Sequence, residues 1–229
     1  MENNKNNNFI KMKKLLTIVI ISILIITTGF SQNSNPAKTL LDEVAKKVES
    51  YKNIEIEFTH NLDNTEADVH QETRGKVTVK GDLYHLNYMG TEQIFDGKKI
   101  YLIIHEDEEV VIQKPDENDE KQLTPSKMFT FYKSGYTYSM SDLKTIDGIK
   151  IQYVNLTPID TNSDVKNILI GVDVKTKHIF NIIEIGKNKT TTTLAIRSFK
   201  TNQTLPDSLF KFDIKKYRDQ KNYTISEPK

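Results

Sequence analysis

Ile54, Ile56 and Phe58 alternate with Glu55, Glu57 and Thr59 in the clearest period-two run of the chain. Such alternation gives a strand one apolar and one wet face. Just upstream the period is helical: Leu40, Leu41, Val44, Val48 and Tyr51 share a face that Lys46, Lys47 and Glu49 avoid. Pro36 behind Asn35 or Ser34 has the form of a capped helix start. One amphipathic helix is therefore predicted from Pro36 to about Lys52-Asn53, leading into the strand.

Asn61 to Glu72 reads as a polar loop or hairpin end, and a meander follows from Arg74 to Ile104. Its turns are Lys80-Gly81-Asp82 and Asp96-Gly97-Lys98, the strongest kind of short hairpin signal. Val77 and Val79 share one strand face, Tyr84, Leu86 and Tyr88 the next, and Ile100 to Ile104 is apolar throughout, as in a strand covered on both sides. Asp107 to Glu109 form a charged turn before Val110 to Ile112, and Pro115 to Glu120 an acidic loop.

Thr124-Pro125-Ser126 then opens a short aromatic helix carrying Met128, Phe129, Phe131 and Tyr132, which Gly135 stops. The remainder reads as strands at Tyr136 to Leu143, Ile149 to Leu156, Ile168 to Val174, Ile179 to Ile185, Thr190 to Phe199 and Phe210 to Ile214. The sum is about eleven or twelve strands with hairpin-length connections, mainly β, forming an antiparallel barrel or strongly curved sheet interrupted by two helices. Closing about eleven strands leaves an interior too wide for a few side chains to fill, so a ligand cavity, plug or lid is expected. On spacing alone, the aromatic helix and the Leu40 face equally serve to complete a core.

Composition narrows the function. Lys11, Lys13 and Lys14 precede an apolar run from Leu15 to Ile26, and Gly29-Phe30-Ser31 resembles a cleavage site before Gln32. The apolar run is about 12 residues, against roughly 20 for a spanning helix. Residues 1–31 are expected to be a secretory signal peptide, with Met1 or Met12 as the start, and residues 32–229 one exported domain. The chain has no Cys, which removes thiol nucleophiles, disulfides and the attachment point of a lipoprotein anchor. The full chain carries a formal charge of +1 and turns slightly acidic without its leader, so neither nucleic acid nor an anionic membrane is indicated as a partner.

The five histidines, His60, His70, His85, His105 and His178, are scattered. A metal site at His60 and His70 with Glu66 or Asp68 competes with the much commoner isolated surface histidine, and none is expected. There is no nucleophile elbow, H-E-x-x-H or phosphate-binding glycine loop, so no catalytic residue or cofactor is assigned and the chain is read as a non-enzyme.

Several segments together resemble the family of periplasmic outer-membrane lipoprotein carriers, LolA. They are Gly75-Lys76-Val77-Thr78-Val79-Lys80 with Leu83-Tyr84-His85-Leu86, then Phe95-Asp96-Gly97-Lys98-Lys99-Ile100-Tyr101, similar to the family's S-D-G-K-x-L-W. Leu123-Thr124-Pro125-Ser126 resembles the start of the lid helix, Leu156-Thr157-Pro158 the central L-x-P, and Leu205 to Phe212 the C-terminal P-x-x-x-F-x-F. The resemblance runs from the first helix to Asp213.

It implies an incomplete eleven-stranded barrel with a helical lid, acting as a monomeric periplasmic chaperone. Its partners would be acylated lipoproteins, an inner-membrane ABC exporter and an outer-membrane acceptor. On that reading Ile56, Phe58, Val77, Val79, Tyr84, Leu86, Tyr88, Ile100 and Leu102 supply the cavity wall, and Leu40, Leu41, Val44, Met128, Phe129, Phe131 and Tyr132 the lid. Alternatives are an envelope sensor or a carrier of another lipid on the same fold, or, from a different class, an exported hydrolase. Two departures stand out: Gly81 replaces the Arg that latches the lid in proteobacterial carriers, leaving Lys80 as the nearest cation, and Thr78 and Tyr101 replace family tryptophans.

Overall fold

The computed structural model describes residues 35–115, 125 and 127–227. Helix α1 (Pro36–Glu49) starts as its sequence requires: Pro36 opens the first turn and the Asn35 side chain accepts from the Ala37 N–H at 3.0 Å. It ends at Glu49, three residues before the expected boundary, where Ser50 turns its hydroxyl back onto the Lys47 carbonyl at 2.6 Å.

Among the described residues, twelve strands form one sheet. They are β1 (Ile54–Asn64), β2 (Val69–Lys80), β3 (Leu83–Tyr88), β4 (Thr91–Phe95), β5 (Ile100–Ile104), β6 (Glu109–Gln113), β7 (Tyr136–Ile146), β8 (Ile149–Pro158), β9 (Val165–Asp173), β10 (Ile179–Gly186), β11 (Thr191–Thr201) and β12 (Thr224–Ser226). Their order is β12-β6-β5-β4-β3-β2-β1-β11-β10-β9-β8-β7. Two meanders, β1–β6 and β7–β11, are thus sewn together by the long-range antiparallel pair β1–β11. The sheet is open, with β7 and β12 at its edges.

Asn61 to Glu72 is the hairpin end rather than the loop: β1 and β2 continue through it to a tight turn at Thr65–Asp68. Its polar residues pair normally because the far half of this hairpin has no apolar core to meet, and alternation vanishes there while backbone pairing does not. Phe210 to Ile214, expected as a strand, is not one. A 3-10 turn (Asp207–Phe210) leads instead into a helical turn ending at Gln220, and the last strand is β12, parallel to β6. The expected aromatic helix is two 3-10 turns, Lys127–Phe129 and Phe131–Lys133, separated at Thr130, whose φ of −134° lies outside the helical range. The signal peptide, the acidic residues 116–120, and Leu123, Thr124 and Ser126 of the expected helix start lie outside the described residues.

Directly opposed residues of antiparallel strands share a face, so the register defines two sides. On the inner side one row runs Ile56–Val77–Leu86–Gln93–Leu102 and the next Ile54–Val79–Tyr84–Phe95–Ile100. α1 and the aromatic turns lie against this side and share its main core. The outer side of β4–β6 carries a second core of Ile94, Ile103, Val110 and Ile112, covered by Tyr217, Phe212, Tyr223 and Ile225 of the C-terminal segment. That double cover explains the unbroken apolar run of β5.

Candidate functional site

All nine residues read as cavity wall fall on the inner side. Phe58–Gly75–Tyr88 forms the third row beside the two already named. Ile56, Phe58, Val77, Val79, Tyr84 and Ile100 are buried, while Leu86, Tyr88 and Leu102 are half-buried. Of the residues read as lid, Leu41, Val44, Phe129 and Tyr132 are buried and Leu40, Met128 and Phe131 half-buried. Wall and lid meet in one continuous apolar cluster, to which all but Ile100, Leu102 and Met128 belong.

Part of that cluster was not legible from periodicity. Val154, Leu156, Ile168, Ile170, Val172 and Ile179 come from β8–β10. Their strands read I-x-I-x-Y-V-x-L and I-L-I-G-V, apolar on both faces, so no alternation said which side turned inward. Phe95, Leu194, Ile196 and Phe199 pack against the same cluster.

The cover is held by polar ties. The Tyr132 hydroxyl donates to the Leu41 carbonyl at 2.9 Å within the core, and the Tyr138 hydroxyl donates to the Tyr132 carbonyl. The Asn35 amide donates to the Tyr138 carbonyl at 2.8 Å, fastening the start of α1 to β7. Glu43 pairs with Lys177 at 2.8 Å and Glu49 with Lys133 at 3.3 Å. The Tyr51 hydroxyl meets His178 Nε2 at 2.8 Å, and the His178 ring stacks on Phe199 with centroids 4.2 Å apart. Burial pushes the Tyr84 hydroxyl up to about 12 and raises Tyr132 and Tyr136, so these phenols stay neutral.

Gly81 sits in the β2–β3 turn at φ +58° with open space where a side chain would begin.

Along the strands the inner side changes character. Past Phe58 the register brings in His60, Thr73, Gln71 and Thr192 among Leu62 and Leu194, so the face runs from wholly apolar near α1 to mixed toward the β1–β2 turn. His60 lies edge-on to Tyr88 at 5.7 Å. His70 is one residue out of phase, on the outer side, and pairs with Asp63 at 2.9 Å; the two histidines cannot share a metal.

An open, mostly antiparallel sheet with one helix and two aromatic turns over a continuous apolar face defines a mainly β fold. The model of the outer membrane lipoprotein carrier protein LolA matches residues 49–213, and the chain belongs to the LolA family. Similar solved structures include an uncharacterized conserved protein from Thermus thermophilus, with a TM-score of 0.57 at 8% identity over 85% of this chain and 100% of that one. A LolA superfamily protein from Nitrosomonas europaea superposes with a TM-score of 0.40 at 11% identity, over 77% of this chain and 97% of that one. The lipoprotein LppX of Mycobacterium tuberculosis gives 0.45 at 11% identity, over 74% and 98%. Likeness at this level is one of fold. No curated sequence matches the chain.

Proposed function

We propose that this protein is a periplasmic carrier that holds the acyl chains of lipoproteins against the inner side of its sheet and ferries them from an inner-membrane exporter to an outer-membrane acceptor. The observation that carries this reading is the single apolar cluster shared by the sheet and a cover tied to it by a handful of polar contacts. An acyl chain exposed to water costs roughly 0.8 kcal/mol per CH₂, so a lipid anchor needs an apolar escort. The inner side is such a surface, and its ties are of the kind that yield: exposed ion pairs contribute about 0–1 kcal/mol each. Lifting α1 and the aromatic turns hands their apolar contacts to the lipid, with the peptide end at the mixed His60 side.

Mass spectrometry of what copurifies from the periplasm tests this. Acylated lipoproteins should be recovered with the wild type and lost from a Leu86→Asn, Leu194→Asn variant that still folds, because both positions are only half-buried. Persistent recovery of empty protein, together with no transfer from inner-membrane vesicles, would overturn the proposal; recovery of free lipid alone would make it a carrier of another cargo.

A further inference from the structure

The outer side of β2, β1 and β11 holds a cleft of about 550 Å³ that the lipid face does not use, lined by Arg74, Lys76, Arg197, Glu57, Thr59 and Asn87 around the Phe58 and Gly75 backbone. Register places its polar residues together: Glu57 opposes Lys76 and Ser198, and Thr59 opposes Arg74 and Ala195.

Arginine is rare in this chain. Arg74, Arg197 and Arg218 are the only three, and two of them line this cleft. β11 inserts one extra residue opposite Glu57/Phe58, and that residue is Arg197. A bulge re-aims a side chain that regular pairing would place otherwise. Here it lays the guanidinium over β1, where Nε donates to the buried Thr59 hydroxyl at 3.2 Å. Arg218 has Asp219 at 2.8 Å and Arg74 has Glu72 at a loose 3.9 Å, whereas Arg197 has no carboxylate partner among the described residues. Lys76 is drawn away to Glu55 at 3.1 Å, which Lys200 also approaches at 3.6 Å, so among the described residues Glu57 too has no ion-pair partner.

The cleft thus offers a guanidinium fork held on Thr59, a second, exposed one and a carboxylate with no ion-pair partner among the described residues. Guanidinium forks match carboxylates in bidentate geometry. A phosphate or an anionic head group supplies acceptors only and meets Glu57 unfavourably, while a peptide brings carboxylates for the arginines and backbone N–H groups for Glu57. We propose that this cleft docks an acidic peptide segment of a partner protein. It lies on the side opposite the lipid face, so docking leaves that face free to be loaded or emptied.

Amide NMR titration of the purified protein with an acetylated, amidated hexaglutamate probe tests the site. Shifts should concentrate at Thr59, Arg74, Lys76 and Arg197, weaken as salt is raised, and be absent with hexalysine. An Arg74→Gln, Arg197→Gln variant, both positions being exposed, should keep its melting temperature and lose affinity at least tenfold. Equal affinity in the variant, or shifts scattered over the lysine-rich surface, would overturn the proposal. So would inorganic phosphate moving the same amides with the peptide adding nothing, or arginine-dependent sedimentation with anionic vesicles in place of peptide binding.

Discussion

Gly75 shows how closely the inner side is fitted. A methyl group there would come within 2.3 Å of Phe58 Cζ, because the Phe58 ring crosses the glycine of the neighbouring strand and leans on Tyr88 with centroids 5.7 Å apart. Gly75→Ala should therefore destabilise the fold by about 1–3 kcal/mol, the usual cost of overpacking, read as a lower denaturant midpoint at unchanged slope. An unchanged midpoint would mean the ring has room to swing. The glycine itself could be read from the sequence, in Gly75-Lys76-Val77, but its reason could not. Only register places Gly75 beside Phe58, a residue from the preceding strand. The same holds for Tyr132, whose apolar ring suits a lid at once, while the use of its hydroxyl depends on where Leu41 lies.

Among the elements, α1 is fastened at its C-terminal end through Tyr51 and His178, and this tie responds to pH. Burial, then the nearby Lys47 charge, hold the His178 imidazole below its ordinary 6.5, against a smaller opposing pull from Asp173. The folded protein thus prefers the neutral ring, and the unfolded chain takes up the proton first. Stability from this group is complete above about pH 6.5 and falls as pH drops through that value toward the folded one. Protection factors of the α1 amides, corrected for the intrinsic exchange rate at each pH, should fall between about pH 7.5 and 5.5 in the wild type, with a flatter profile in His178→Asn; parallel profiles would assign the change to other groups. α1 and β1 were plain in the sequence because each has one wet face and one dry one, whereas the aromatic turns and the far half of the β1–β2 hairpin were not. Four large apolar groups in five positions signal burial without fixing helix type, and a polar strand held by backbone pairing leaves no periodic trace.

For the molecule as a whole, the proposed cargo can enter only if cover and sheet separate. The absence of cysteine makes this easy to test, since two introduced thiols have no competitors. Glu43→Cys with Lys177→Cys, joined by a short bis-maleimide across the site of a 2.8 Å ion pair, should pin α1 to the β9–β10 turn. Uptake of acylated lipoprotein should then fall at least tenfold with the melting temperature unchanged or raised. Unimpaired uptake would show that lipid enters without moving α1. The mainly β architecture was legible from turn spacing, but closure was not, because whether the two end strands meet is a matter of twist and shear accumulated over the whole sheet. They do not: β7 and β12 are separate edges. A closed barrel has a circumference fixed by its ring of hydrogen bonds. A sheet with a seam can spread or tighten without breaking a ladder, so on the proposed carrier reading one protein of this design would accept anchors that differ in the number and length of their chains.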